Sequence, residues 1–309
     1  MRGSVRSLDK AEKVRHALGE AGGDVGRLEF VALDLLDDAG WDAAMEGVRF
    51  VQHTASPFVL EIPRDPDLLI RPAVEGTERA MRAALAAGVE RIVLTSSIAS
   101  IQYGHADYDR LLTEADWSDT ENVRTGPYAR SKTLAERAAW RLAEEAGRRD
   151  ALAVINPAVI LGPLLDDDPG TSAVIIKRLI NGSLPAMPRI GLALTVVRDV
   201  AELHVDAMTR PEAGGERCIV SEGSYRMAEM AAVLREAFPY RRIPRHELPD
   251  WLVRIAARFD RDIRDNLEEM GVLKRLDAAR AESRLGRPLT PAGQSIRDTA
   301  ESLIARGLA

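Results

Sequence analysis

Tyr128 and Lys132, four residues apart, are the side chains of this sequence best suited to moving a proton. On a helix that spacing puts the phenol and the ammonium on one face, with Cβ atoms about 5–6 Å apart. A tyrosine at its reference pKa of about 10 is a poor base at neutral pH, and a neighbouring cation favours the phenolate and lowers that value. The pair can then give a proton to a carbonyl oxygen or take one from an alcohol. Taken alone, Tyr-x-x-x-Lys also arises by chance on exposed helix turns. Ser97 adds weight, because it lies 31 residues upstream, just after the run RIVLTS at 91–96. That run is too apolar to face water on either side and reads as a buried parallel strand. In open α/β sheets the ligand crevice lies at the carboxyl ends of the strands, where a hydroxyl can hydrogen-bond a substrate oxygen. Thr95 and Ser96 read as strand-end capping.

These groups need a scaffold. The first half of the chain alternates short β-rich runs with longer helical patterns, the mark of a parallel sheet with crossover helices. Strands are expected at 1–7, 27–33, 48–54, 91–96 and 151–156, and helices at 8–22, 41–46, 67–87 and 126–147. Gly22 and Gly88 supply helix stops. Residues 57–66 read as a loop, and a long connection carrying Tyr103, His105 and Trp117 precedes Gly126-Pro127. After Pro157 the elements shorten, with helices expected at 172–181, 198–209, 225–238, 250–258, 274–285 and 293–305 and a strand at 216–221. The expected fold class is α/β: a parallel sheet with a smaller C-terminal cap. Residues 1–158 are expected to form the sheet domain and 159–309 mainly the cap, with 216–221 rejoining the sheet.

Composition narrows the partners. The 309 residues are 46% hydrophobic and 29% charged, an ordinary soluble balance and enough chain for a buried core. A net charge of −6 argues against nucleic acid or an anionic membrane as partner. Cys218 is the sole cysteine, which rules out an intrachain disulfide and a multi-cysteine metal site. No apolar run approaches the ~18 residues of a membrane span. The N-terminus lacks the apolar stretch of a signal peptide, so a cytoplasmic location is expected. His16, His105, His204 and His246 show no metal-ligand spacing, Asp166-Asp167-Asp168 reads as a solvated loop, and no metal is expected. His53 reads as a packed core histidine, and Cys218 as inert.

Several ordered motifs resemble one family. Arg91-Ile-Val-Leu-Thr-Ser-Ser97, then Tyr128-Ala-Arg-Ser-Lys132 with Ala135, Glu136 and Trp140, then Asn156-Pro157 followed by Ile160 and Gly162-Pro163, are similar to the extended short-chain dehydrogenases/reductases. Within these the chain most resembles the dihydroflavonol reductase, cinnamoyl-CoA reductase and aldehyde/ketone reductase group of the epimerase/dehydratase superfamily, which implies a Rossmann-like dinucleotide-binding domain at 1–158 and a mainly substrate-binding cap at 159–309. The opening Val5-Arg6-Ser7-Leu8-Asp9-Lys10 and His53-Thr54-Ala55-Ser56-Pro57 also match, and similarity runs to the 298–303 segment. The resemblance implies Tyr128 as proton donor, Lys132 as its partner and a clamp on the nicotinamide ribose, and Ser97 as carbonyl anchor. It implies Arg6, with Lys10 beside it, against the adenosine 2′-phosphate. A cation at that strand end accommodates NADP, whereas an acid would favour NAD by bonding the free 2′-hydroxyl. Asp34 and Leu35 would flank the adenine; Thr54, Ala55 and Ser56 would line the dinucleotide. Pro157, Val159 and Ile160 would line the nicotinamide face, and Ser172, at a helix start, would reach phosphate oxygens. In many relatives a pair like Arg198-Asp199 is mainly structural.

One family element is not found. The Gly-x-x-Gly-x-x-Gly turn that holds the pyrophosphate has no counterpart in the sequence. Met1 aligns with the start of the family's second strand, so roughly 25–35 residues, one strand-plus-helix unit, are expected to be missing. In the order 3-2-1-4-5-6 the lost strand is central, which would leave two unpaired sheet edges. The expected function is an NADPH-preferring oxidoreductase reducing an aldehyde or ketone, with NAD as the lesser cofactor, a small-molecule substrate, and a monomer or homodimer. The alternatives are a nucleotide-sugar epimerase or dehydratase of the same fold and a non-catalytic dinucleotide sensor.

Overall fold

Burial on both faces marks the strands that carry the sheet, as expected where crossover helices cover a parallel sheet. The computed structural model describes residues 1–56, 65–258 and 269–309, so positions 57–64 of the expected loop lie outside the described residues. In chain order the elements begin with β1 (Arg2–Val5), α1 (Ala11–Glu20), β2 (Glu29–Ala32), α2 (Trp41–Met45) and β3 (Phe50–His53). They continue with α3 (Asp67–Ala86), β4 (Arg91–Thr95), β5 (Leu111–Leu112), α4 (Pro127–Glu145), β6 (Leu152–Pro157) and β7 (Val159–Leu161). Then come α5 (Gly170–Ile180), β8 (Gly191–Val196), α6 (Val197–Thr209), β9 (Arg217–Val220), β10 (Gly223–Arg226) and α7 (Met227–Ala237). The last are α8 (Asp250–Ala256), β11 (Arg275–Leu276), α9 (Ala279–Leu285) and α10 (Ala292–Ala305).

Three expected elements change where local pairing competes with helix formation. The helix expected from Leu8 opens with a 3₁₀ turn at Leu8–Lys10, closed by the Lys10 N–H on the Ser7 carbonyl at 3.1 Å. The helix expected from Tyr225 starts at Met227, because Gly223–Arg226 is paired antiparallel with β8. The helix expected from Lys274 starts at Ala279, because Arg275 and Leu276 pair with Leu111 and Leu112 of β5. By contrast α3 ends where Gly88 turns into the left-handed region, with φ of 67°.

The chain forms two compact units. The first comprises Met1–Thr95, Ser131–Val154 and Asp206–Glu216. In it β1 pairs parallel with β2, Arg2 opposite Glu29 and Val5 opposite Ala32, and β3 pairs parallel with β4. The parallel pairs of this unit are thus β1-β2 and β3-β4, and β6 contributes residues 152–154 to it. Ile92, Val93 and Leu94 of β4 are buried, while both faces of β1 stay at least partly exposed. α3 packs on β3 and α2. Gly76 lets α3 approach the 33–37 turn closely, since a Cβ there would lie 2.8 Å from the Leu35 Cβ.

The second unit comprises Ser96–Arg130, Ile155–Val205 and Arg217–Ala309. Its three-stranded sheet runs β10-β8-β7, with β7 parallel to β8 and β10 antiparallel to it. α5, α7 and α10 pack together around Leu161, Ile176, Leu194, Met230, Ile296 and Leu303. A smaller core of Ile98, Ile101, Leu112, Ala158, Ala193 and Ile219 fixes the segment that follows Ser97. Asp199 at the start of α6 is 1% exposed and accepts from Arg287 Nη2 at 2.9 Å, Thr290 N at 2.7 Å and Thr290 Oγ1 at 2.9 Å.

Candidate active site

Ser97 leaves β4 in an extended conformation and caps the 3₁₀ turn Ile98–Ser100, its Oγ accepting the Ala99 N–H at 3.1 Å. The same side chain is hydrogen-bonded to the Tyr128 phenol. The Ser97 carbonyl accepts from Ser100 Oγ at 2.8 Å and from Asn156 Nδ2 at 3.3 Å, which pins the backbone behind the hydroxyl. Tyr128 is the second residue of α4, whose first residue, Pro127, suits a position with no N–H to satisfy. The expected acid shift of this phenol is not what the structure has. Burial raises the Tyr128 pKa and the Ser97 hydrogen bond only opposes that rise, so the phenol stays protonated at neutral pH. A proton donor needs that form.

Tyr103, Gln102 and Lys274 stand near this pair in the second unit, and sequence pattern gave no sign of them. Burial pushes the Tyr103 phenol well above its ordinary value, with Glu269, Tyr128 and Tyr108 adding and the Gln102 amide opposing. The Lys274 ammonium lies 3.8 Å from the centre of the Tyr103 ring and 5.2 Å from that of Tyr108. It also donates to both oxygens of Glu269, at 2.7 and 2.8 Å. Burial lowers its pKa although Glu269 pulls the other way. These residues meet through tertiary folding, which periodicity does not encode.

In the first unit, Lys132 lies one turn along α4 from Tyr128, and burial lowers its ammonium to about 8 against the pull of Glu136. His53, at the end of β3, is 5% exposed, and burial, with the charge of Lys132, lowers it to about 4. It is the packed neutral histidine expected, with Nε2 unpartnered. Arg6 follows β1 with 76% of its side chain exposed, its guanidinium 3.9 Å from the Asp34 carboxylate. Lys10 is exposed beside α1, Asp34 accepts the Leu36 N–H at 2.9 Å, and Leu35 lies against Gly76. Thr54 and Ala55 are exposed and Ser56 half-buried after β3. An exposed cation at a strand end, with one distant carboxylate, fits a 2′-phosphorylated dinucleotide. Arg6 would hold that phosphate and Lys132 the nicotinamide ribose.

The remaining expected residues belong to the second unit. Pro157 ends β6 buried, while Val159 and Ile160 are half-buried in β7. Ser172, in the first turn of α5, lines a cavity of about 400 Å³ with Ile160, Gly162, Pro163 and Thr299. Ile160 and Ser172 thus share one cavity. Cys218 is 1% exposed in β9, and Asp167 pairs with Arg306 at 3.0 Å.

Comparison with known proteins gives a consistent picture. Residues 4–221 match the model of the NAD dependent epimerase/dehydratase family. A cinnamoyl-CoA reductase of Medicago truncatula is 32% identical over 312 residues, covering 98% of this chain and 87% of that protein. An NADPH-dependent methylglyoxal reductase of Saccharomyces cerevisiae is 32% identical over 265 residues, 77% of this chain and 75% of its own length. Among solved structures, yeast methylglyoxal/isovaleraldehyde reductase complexed with NADPH superposes with a TM-score of 0.78 at 26% identity, covering 100% of this chain and 92% of that one.

Proposed function

The chain belongs to the NAD dependent epimerase/dehydratase family, and from that premise we propose that it is an NADPH-dependent reductase of a small aldehyde or ketone. The observation that carries this reading is the hydrogen bond between the Ser97 hydroxyl and a Tyr128 phenol kept protonated by burial. Bound NADPH supplies the hydride to the carbonyl carbon. Ser97 holds the carbonyl oxygen, and Tyr128 gives its proton to that oxygen as negative charge develops there. Lys132 carries the positive charge that offsets the phenolate left behind and orients the nicotinamide ribose. Arg6 and Lys10 would select the 2′-phosphate, and Asp34, Leu35, Thr54, Ala55 and Ser56 would line the dinucleotide. Pro157, Val159, Ile160 and Ser172 would serve its nicotinamide and phosphate ends.

No helix among the described residues is long and apolar enough to cross a membrane; that the enzyme is cytoplasmic is part of the proposal. The test is a panel of small aldehydes and ketones assayed by NADPH oxidation, with Tyr128→Phe as control. Loss of turnover by about 100-fold or more, with NADPH still bound, is the expected result. Undiminished turnover in Tyr128→Phe would overturn the assignment.

A further inference from the structure

We propose that Arg217, which no motif singled out, is a positioning residue that fixes the carbonyl anchor Ser97 by way of Ser100. The inference rests on the reductase reading of the site and adds a residue to it.

Arg217 opens β9 and is 7% exposed, an unusual place for a guanidinium. Its fork is used in two directions. Nη1 donates to the carbonyls of Glu114 at 2.8 Å and Asp116 at 2.6 Å, and Nη2 donates to Ser100 Oγ at 3.1 Å. The group also stacks 3.9 Å from the centre of the Trp117 ring. It therefore grips the 114–117 segment on one side and the turn after Ser97 on the other. Ser100, fully buried, passes the constraint on: its Oγ accepts from Asn156 Nδ2 at 3.0 Å and donates to the Ser97 carbonyl at 2.8 Å.

A second set of bonds closes the same frame. Ser118 donates through Oγ to the Ala99 carbonyl at 2.8 Å, and its N–H donates to the Ser100 carbonyl at 2.8 Å. The N–H of Tyr103 donates to Ser118 Oγ at 2.8 Å. Residues 97–103 are thus held by a segment that Arg217 itself holds. Hydroxyls rotate freely and Ser97 is the smallest group of the reacting pair, so its direction depends on where its backbone is fixed. A planar cation carries its donors on separate nitrogens and can hold two segments at a fixed spacing; a lysine ammonium has all its donors on one nitrogen and does not reproduce that spacing.

The test is a double-mutant cycle read by single-turnover carbonyl reduction under excess enzyme. Arg217→Met should lower the hydride-transfer rate about 10- to 100-fold, the scale of an ångström-sized misplacement. NADPH affinity should stay within about twofold, because Ser97 acts on substrate and not on cofactor. In a Ser97→Ala background the same substitution should cost less than about twofold, since the group it positions is gone. Arg217→Lys should recover little of the loss. An equal loss in both backgrounds, or full recovery with lysine, overturns the proposal and makes Arg217 a general packing residue. If Arg217→Met does not fold, Ser100→Ala carries the same cycle, and an unchanged rate there overturns it equally. Ser97→Ala turning over like the unsubstituted enzyme refutes the reductase site itself, an outcome the cycle keeps apart from failure of the Arg217 assignment alone.

Discussion

Replacing Lys132 with methionine should change how stability depends on pH, besides removing a cation from the site. Burial holds the Lys132 ammonium at about 8 against an ordinary 10.5, with Glu136 opposing the change. Below pH 8 the folded and unfolded chains both carry the proton, and the folded state bears the cost of keeping it from water. Between 8 and 10.5 the unfolded chain binds more protons than the folded one, so stability rises with pH through that window. The displacement corresponds to roughly 3 kcal/mol, all of it present as a penalty near pH 7 and relieved above 10.5. Urea unfolding of both proteins at several pH values from 8 to 10.5 isolates this contribution, because His53, which feels the Lys132 charge, is neutral in both chains across that window. The stability of the unsubstituted protein relative to Lys132→Met should grow by roughly 3 kcal/mol across the window. Loss of the Glu136 partner sets the offset between the two curves, not their divergence. Parallel curves would refute the claim that burial sets the state of this lysine.

On the acid side, His53 is depressed to about 4, so the folded chain binds fewer protons than the unfolded one between 4 and 6.5 and stability falls as pH drops through that range. His53→Gln should remove part of that acid loss in denaturant melts, leaving the part due to His204, which burial also lowers to about 4. Arg6→Ala should weaken NADPH binding about tenfold, the value of a charge-assisted hydrogen bond, and leave NADH binding unchanged. Fluorescence titration with both cofactors checks this, and equal losses would mean that Arg6 acts on the fold. Asp199→Ala strips three hydrogen bonds from one buried carboxylate and leaves Arg287 and Thr290 without it. A loss of about 3 kcal/mol in urea melts is expected.

Long periodic segments were legible in the sequence. The helix expected at 67–87 is α3, that at 126–147 is α4, and the apolar runs at 91–96 and 151–156 hold β4 and β6. Their signals are local: an apolar stripe at helical spacing, a glycine stop, or a run with no polar face. The strands β7, β8 and β10 were not legible, because their short segments become strands only by pairing with one another. Candidate site residues followed the same division. Ser97, Tyr128 and Lys132 announce themselves by spacing along one strand end and one helix. Arg217, Tyr103 and Lys274 have no spacing that relates them to the site; Arg217 meets Ser100, and Lys274 meets Tyr103, only because packing brings distant segments together. The sign of the Tyr128 shift was lost for a similar reason, since a neighbouring cation is visible in a sequence and desolvation is not.

The small β1-β2 sheet has an energetic consequence. Its two strands pair with each other, and neither buries a residue fully, so it has little apolar contact to resist local opening. Arg6 sits at the tip of this ledge. A ligand that Arg6 grips would therefore stabilise the closed pair, and amide exchange at Gly3–Val5 should slow by the factor 1 + L/Kd, where L is the free concentration of a phosphorylated ribose. The tail of the cofactor, far from the reacting carbon, would then govern how often this corner of the protein breathes.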